Sequence, residues 1–162
     1  MELSKDLTEK EFIHSDTAKR KGIDNSMLNS HRDNAKQLAN KIFQPSRDHF
    51  NKPLFLSSGY RSKALNDAIG GAYGSQHSKG MAMDLDQDAY EAKYDVSNYD
   101  VFWHIHDNLD FDQLIWEYGD SKNPDWVHVS YDKSKAKQRK SVITAHRNSN
   151  GETYYTDFVY SK

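Results

Sequence analysis

The segment FDQLIWEYGDSKNPDWVHVSY (residues 111–131) contains two strand patterns separated by a turn. Aromatic and β-branched residues are frequent from Gln113 to Tyr118 and from Trp126 to Tyr131, as they are in strands. Gly119 and Pro124, which lie between the two patterns, are typical of turns. The segment therefore predicts two strands of a sheet that are separated by a turn.

Strand and helix patterns continue on both sides of this segment. Leu54 to Ser58 is a short apolar run that predicts a buried strand, and Met81 to Leu85 alternates as a strand does. A helix is expected across Tyr99 to Leu109, because its apolar residues fall on one face. Two further apolar runs, Val142 to Thr144 and Tyr154 to Tyr160, flank an Asn-Gly pair, which predicts a hairpin in the C-terminal extension.

The first third of the chain has helical patterns. Thr8 followed by Glu11 is a capping box, and a second short helix is expected to begin at residue 15 or 16 and to end at Gly22. A longer amphipathic helix from about Ser26 should be bent or interrupted near Pro45. These patterns predict one α+β domain over residues 1–162, in which N-terminal helices pack on a small, mostly antiparallel sheet.

The composition limits the kinds of function that are possible. The 162 residues include 22 Lys and Arg against 24 Asp and Glu, so the net charge of −2 offers no basic field for a nucleic acid. Cysteine is absent, which excludes disulfides, thiolate metal sites and cysteine nucleophiles. The chain has 8 His. Any bound metal must therefore be held by His, Asp and Glu side chains.

The N-terminal segment MELSKDLTEK (residues 1–10) has neither the basic region nor the apolar region of a secretory signal peptide. No run of about 18 apolar residues occurs, so no membrane span is expected. From these features we expect a protein made in the cytoplasm without a signal peptide. We also expect a monomer with no stable membrane association.

Two segments combine imidazoles and carboxylates at spacings that allow metal binding. In SQHSKGMAMD (residues 75–84), His77 lies on a loop and Asp84 lies in the strand that follows. In PDWVHVS, His128 lies in a strand and Asp125 in the turn before it. Two imidazoles and one carboxylate are a common ligand set for a catalytic zinc ion with an open position. Each segment alone is a common pattern, and only their combination favours a metal site.

A hydrolytic reaction at such a site needs groups besides the ligands. A carboxylate must accept a proton from the attacking water and pass it to the leaving amine, and Asp125 is the candidate. Arg61, in the segment SSGYRS, could stabilise an oxyanion or bind a substrate carboxylate. Glu117 is a rival base, although a glutamate on the polar face of a sheet or behind a ligand is the more ordinary interpretation.

Three segments carry a resemblance to a known family: SGYRS (residues 58–62), SQHSKGMAMD (75–84) and DWVHVS (125–130). Their order and spacing are similar to those of the zinc D-Ala-D-Ala carboxypeptidases and L-alanyl-D-glutamate endopeptidases, which are peptidoglycan peptidases. The chain resembles this family over about residues 7–131 and is most similar to its small phage and prophage branch. Residues 132–162 lie outside the resemblance.

The resemblance implies one Zn²⁺ per chain, bound by His77, Asp84 and His128. It also implies that Asp125 is the general base and that Arg61 is the oxyanion-stabilising or substrate-binding arginine. Two features depart from the pattern of many members. A serine lies two residues after the last ligand where many have a second histidine, and the base is an aspartate where many have a glutamate.

Residues beside these positions are candidates for the walls of a substrate pocket: Tyr60, Ser75, Gln76 and Trp126. His104 and His106 lie two apart in the predicted helix and face different sides, which makes them poor co-ligands. The basic run from Lys133 to Lys140 is interpreted as a solvated face, with attraction to anionic wall polymers as the alternative.

The expected function is that of a zinc metallopeptidase which hydrolyses an amide bond in the peptide stem of bacterial peptidoglycan. A phage endolysin that acts on the cell wall after release is the expected role, with the stem peptide as partner and no nucleic acid. One alternative is a non-catalytic cell-wall-binding or virion structural module of the same fold. Another is a zinc amidase with a substrate outside the wall. D,D-carboxypeptidase and L,D-endopeptidase action both stay open.

Overall fold

A six-stranded sheet lies at the centre of the computed structural model, which describes residues 1–88 and 91–162 apart from the side chains of residues 91 and 92. The strands are β1 (Glu2–Ser4), β2 (Leu7–Thr8), β3 (Leu56–Ser58), β4 (Ala82–Leu85), β5 (Gln113–Glu117), β6 (Trp126–Ser130), β7 (Ser141–Arg147) and β8 (Thr153–Asp157). Their order across the sheet is β3-β4-β6-β5-β7-β8, while β1 and β2 pair separately. Neighbours in the large sheet are antiparallel except β5 and β7, which are parallel. The predicted α+β class with a mostly antiparallel sheet is confirmed.

The helices are short, and their ends follow signals in the sequence. They are α1 (Glu9–Phe12), α2 (Asp16–Lys21), α3 (Asn29–Leu38), α4 (Gln44–Phe50), α5 (Lys63–Ala68), α6 (Glu91–Tyr94) and α7 (Asn98–Asn108). Thr8 and Glu11 form the predicted capping box of α1. The side chain of Ser15 caps α2, and Gly22 ends that helix in the left-handed conformation.

The expected interruption near Pro45 takes the form of a wider turn. A π-helical turn, Ala39–Phe43, joins α3 to α4, and the Gln44 amide donates to the Ala39 carbonyl. Pro45 has no amide hydrogen, and its ring would crowd the preceding turn of a regular α-helix. It is tolerated at the start of α4 because the turn before it is wider. The chain therefore continues as a helix through this point, because the wider turn accommodates the ring.

Alternation along the strands gives the large sheet two different faces. One face is apolar and packs with α3, the π-helical turn and α7. The sheet contributes Met83, Leu85, Leu114, Trp116, Val127 and Val129 to this core, and the helices contribute Leu38, Ile42, Phe102 and Ile105. The opposite face carries polar residues, with Asp84 directly across from His128 and His128 across from Ile115. The helices therefore cover one side of the sheet, and the candidate ligands lie on the other.

One strand prediction needs correction, and one strand pair was not predicted. The run from Leu54 to Ser58 forms a strand only over its last three residues, and this strand is partly exposed because β3 lies at the sheet edge. The pairing of β1 with β2 was not predicted, since each strand is too short for a periodic pattern. At the other end of the chain, β7 and β8 form an antiparallel hairpin. Among the described residues, no helix is long and apolar enough to cross a membrane.

Candidate metal centre

Three elements supply the candidate ligands. His77 lies in a 3-10 turn, Gln76–Lys79, which leads into β4, whereas Asp84 and His128 lie on β4 and β6. Gly80 ends the turn with a φ of 71°, and a Cβ there would lie 2.9 Å from the His31 carbonyl oxygen. Only glycine combines that backbone conformation with so close an approach, so Gly80 allows His77 to turn back over β4.

The three side chains converge on one point. His77 Nε2 lies 3.2 Å from Asp84 Oδ1 and 3.2 Å from His128 Nδ1, and His128 Nδ1 lies 2.8 Å from Asp84 Oδ1. All three residues are buried. The cross-strand pairing of Asp84 with His128 explains part of this geometry, because directly opposed residues share one face of a sheet.

Neighbouring groups fix the orientation of these ligands. His77 Nδ1 donates to the Gly59 carbonyl oxygen at 2.7 Å, which leaves Nε2 with its lone pair toward the other ligands. Arg61 Nη2 donates to Asp84 Oδ2 at 2.7 Å, and Arg61 Nε donates to Ser58 Oγ at 2.9 Å. The arginine therefore holds one oxygen of Asp84 and leaves the other for the site.

The chemistry of this donor set fits a divalent cation. Burial opposes ionisation of Asp84, but the two adjacent imidazoles outweigh it and hold the pKa of the carboxyl well below its ordinary value. An ionised oxygen and two ring nitrogens within about 3 Å of one another need a positive charge among them. Imidazole nitrogen and carboxylate oxygen are ligands that zinc accepts. His77, Asp84 and His128 thus form a group that could hold a metal ion.

The ligands face a cavity of about 470 Å³. Ser75, Gln76 and Trp126, three of the four predicted pocket residues, line it together with Arg61. The fourth, Tyr60, is 3% exposed in the core, where its hydroxyl lies 3.3 Å from His31 Nδ1. Tyr60 therefore packs in the core and is not part of this wall.

The two candidate bases occupy different positions. Glu117 lines the cavity and is buried, whereas Asp125 is exposed in the turn before β6 and lies outside the cavity wall. Glu117 pairs with Trp126 across the sheet, two residues from the Ile115–His128 pair, so Glu117 and His128 share a face. Burial raises the pKa of Glu117 to about 7, and the charge of Asp84 adds to this effect.

The basic run has a structural role that the sequence interpretation missed. Asp112 is fully buried and accepts hydrogen bonds from Lys135, Arg139 and Gln76. Lys135 and Arg139 therefore anchor the extension to the residue before β5, although both side chains stay partly exposed, so the predicted solvated face describes only part of their role. The anchoring was not predictable, because a buried carboxylate requires charged partners, which a local pattern of lysines cannot reveal.

The remaining histidines lie apart from the ligands. His104 and His106 lie on α7, where the His104 ring stacks on that of His49 at a centroid distance of 4.0 Å. His14 and His49 are exposed, whereas His31 beside Tyr60 and His146 on β7 are half-buried.

Two residues of the C-terminal hairpin, Thr153 and Tyr155, also line the cavity. Their position in the sequence does not indicate this role, because only the parallel pairing of β7 with β5 brings them there. Glu117, by contrast, could have been favoured as a residue of this wall, because the period of two along β5 sets it on the same face as Ile115.

Comparison with known proteins agrees with this geometry. The family model described as Peptidase M15 matches residues 5–130. No curated protein matches the chain. The matched range contains all three candidate ligands, Arg61, Glu117 and Asp125, and it ends at the last residue of β6. The chain belongs to the Peptidase M15 family, whose members are zinc peptidases that act on peptidoglycan.

Proposed function

We propose that this protein is a zinc-dependent hydrolase that cleaves an amide bond within the peptide stem of peptidoglycan. The observation that carries the proposal is the convergence of His77 Nε2, Asp84 Oδ1 and His128 Nδ1 on one buried point at the wall of a cavity. Membership of the Peptidase M15 family supplies the class of reaction. A cavity of about 470 Å³ is large enough for a short peptide segment.

The ligands and the residues around them have different roles in the proposed reaction. His77, Asp84 and His128 would hold a zinc ion, which would supply Lewis-acid chemistry that polarises a carbonyl and lowers the pKa of water. Arg61 orients Asp84 through its 2.7 Å contact with Oδ2. Because Arg61 also lines the cavity, its guanidinium can face the oxygen that becomes negative when the carbonyl is attacked.

A carboxylate must accept the proton of the attacking water and donate it to the leaving amine. The resemblance implies Asp125 for this role, whereas position favours Glu117. Glu117 is 7% exposed, lines the cavity and shares a sheet face with His128. A base has to lie within hydrogen-bond reach of the reacting water, directly or through one more water. We therefore assign the base to Glu117 and make Asp125 the alternative that the experiment must exclude.

Cleavage of defined stem peptides, followed by mass spectrometry, tests the proposal. Purified protein with measured zinc content should release fragments, and the fragment masses distinguish D,D-carboxypeptidase from L,D-endopeptidase cleavage. A chelator or His77→Ala should abolish release. His14→Ala is the matched control, because His14 is an exposed histidine that pairs only with Asp16 among the described residues.

Two results would contradict the proposal. Unchanged cleavage after chelation or in His77→Ala would mean that the metal group is not the reaction centre. Tight binding of peptidoglycan by wild-type protein without any released fragment would favour the non-catalytic wall-binding module.

The proposal extends to an endolysin-type role in which the protein reaches the wall after release from the cytoplasm. Its support is the similarity of the motif segments to the small phage and prophage branch. Bacteria that express the protein should lyse only when their membrane is also permeabilised, and those that express His77→Ala should not lyse under either condition. Lysis without a membrane lesion would exclude this route.

A further inference from the structure

The C-terminal hairpin lies outside the family match and yet contributes to the cavity. Residues 5–130 match the family, whereas β7 begins at Ser141. Strand β7 pairs in parallel with β5, which carries Glu117, and β8 then pairs with β7. The extension thereby widens the sheet by two strands on the side of β5, and it adds Thr153 and Tyr155 to the cavity wall.

The strand register places Tyr155 in one row with the site. Trp126 pairs with Glu117, Glu117 pairs with Ala145, and Ala145 pairs with Tyr155. Paired residues share a sheet face, so all four side chains point to the side of the candidate ligands. Ala145, between Glu117 and Tyr155, has a single methyl group as its side chain. No large side chain of this row therefore separates the Tyr155 ring from Glu117.

Further contacts hold the hairpin in this position. The Tyr118 hydroxyl and Thr153 Oγ1 lie 2.7 Å apart, which joins the end of β8 to the end of β5. The Arg147 guanidinium lies over the Tyr118 ring, 4.5 Å from its centroid. The buried Asp112, bound by Lys135 and Arg139, fixes the segment that leads into β7. The hairpin is therefore a fixed part of the wall.

Tyr155 itself is available to a ligand. The residue is 55% exposed, and among the described residues its side chain has no hydrogen-bond or ring partner. Its neighbour Tyr154 is similarly exposed, at 48%, but points to the opposite face and stacks on His146 at 5.1 Å. Partial burial, with the charge of Glu117 as a smaller cause, raises the pKa of Tyr155, which keeps the hydroxyl protonated and able to donate.

We infer that Tyr155 is a substrate-binding residue supplied by the C-terminal hairpin. Its ring packs against the peptide stem, and its hydroxyl donates a hydrogen bond to a carbonyl or carboxylate oxygen of that peptide. The ring adds apolar contact area, while the polar end gives direction. This inference rests on the proposed function, since it names a residue that binds the substrate of the same reaction.

Steady-state kinetics on a defined stem peptide tests the inference. Tyr155→Ala should raise KM about tenfold and leave kcat within about twofold, because the lost contact binds substrate and transition state alike. Tyr155→Phe keeps the ring and should raise KM about threefold to tenfold, as for one lost hydrogen bond. Tyr154→Ala, the matched control, should keep the wild-type KM. The dissociation constant of the product peptide on the zinc-loaded protein should follow the same order.

The outcomes separate the two proposals. If wild-type protein releases no fragments, the proposed function fails and the role of Tyr155 fails with it. If wild-type protein is active and Tyr155→Ala keeps the wild-type KM and dissociation constant, the proposed function stands and the inference is wrong. Zinc content and unfolding midpoint, measured on every variant, exclude a general loss of structure. A loss confined to kcat would also contradict substrate binding by Tyr155.

Discussion

Replacement of Gly59 by alanine should lower both the free energy of unfolding and the zinc affinity, because Gly59 contacts Phe12 of α1 and the candidate ligand His77. A Cβ at this position would lie 2.2 Å from the Phe12 carbonyl oxygen and 2.7 Å from Phe12 Cδ2. The same oxygen accepts a hydrogen bond from the Tyr60 amide at 2.7 Å. On its other side, the Gly59 carbonyl accepts the hydrogen bond from His77 Nδ1.

The size of the effect follows from these distances. The gap between Cβ and the Phe12 oxygen must open from 2.2 Å to the 3.4 Å of an ordinary contact, which moves α1 away from the loop. Overpacking of this kind costs about 1–3 kcal/mol of unfolding free energy. Stretching the Tyr60–Phe12 hydrogen bond costs about 1–3 kcal/mol more. The midpoint of thermal unfolding should fall by about 4–24 °C, at about 2–4 °C per kcal/mol for a chain of this size, and a misplaced His77 should weaken zinc binding about 10-fold to 100-fold.

Urea unfolding and competition for zinc against a chromophoric chelator measure the two effects. Gly22→Ala is the control, because Gly22 ends α2 but has no atom within 4 Å of its Cβ position. Its left-handed backbone, with φ of 62°, should cost about 1 kcal/mol and leave zinc affinity unchanged. If Gly59→Ala lowers the free energy of unfolding no more than Gly22→Ala does and binds zinc like the wild type, the packing of Gly59 does not control the position of His77.

Three other sets of variants test separate parts of the structure. Glu117→Gln should lower kcat about 10²-fold to 10⁴-fold at unchanged zinc content, whereas Asp125→Asn should stay within a few-fold, and the reverse order in stem-peptide cleavage would assign the base to Asp125. Asp112→Asn should cost about 2–3 kcal/mol in urea unfolding, because it removes the buried partner of two cations, while the exposed Asp107→Asn should cost at most about 1 kcal/mol. Burial, with a smaller contribution from the neighbouring histidine, lowers the pKa of His104 to about 4. The unfolded chain therefore binds more protons between about pH 6.5 and pH 4, so the free energy of unfolding should decrease as the pH is lowered through that window, and it should decrease less in His104→Leu. The same pH dependence of the unfolding free energy in the wild type and in His104→Leu would disprove this.

Features encoded within a few residues were predictable from the sequence. The capping box of Thr8 and Glu11 involves groups three residues apart, and the apolar stripe from Tyr99 to Leu109 matches α7 to within one residue at each end. Both depend on contacts within a turn or two of helix, so local spacing is sufficient.

Features that depend on distant partners were not predictable in this way. The basic run suggests a solvated surface until Asp112 is found buried beneath Lys135 and Arg139. The contacts that decide the role of these two side chains come from an element more than 20 residues away in the sequence. At Pro45, by contrast, the predicted bend or interruption takes the form of a local π-helical turn, whose width a spacing pattern does not reveal.

The sequence by itself determined the set of donors: with no cysteine, a metal needs His, Asp or Glu, and His77, Asp84 and His128 lie in two recognisable segments. Only the tertiary structure decided which other groups face them. It places Glu117 in the cavity wall and Asp125 at the exposed turn, and it brings Tyr155 to the site through the parallel pairing of β5 with β7. The physical reason is that local periodicity depends on neighbouring residues, whereas strand order depends on the burial and hydrogen bonding of the whole sheet.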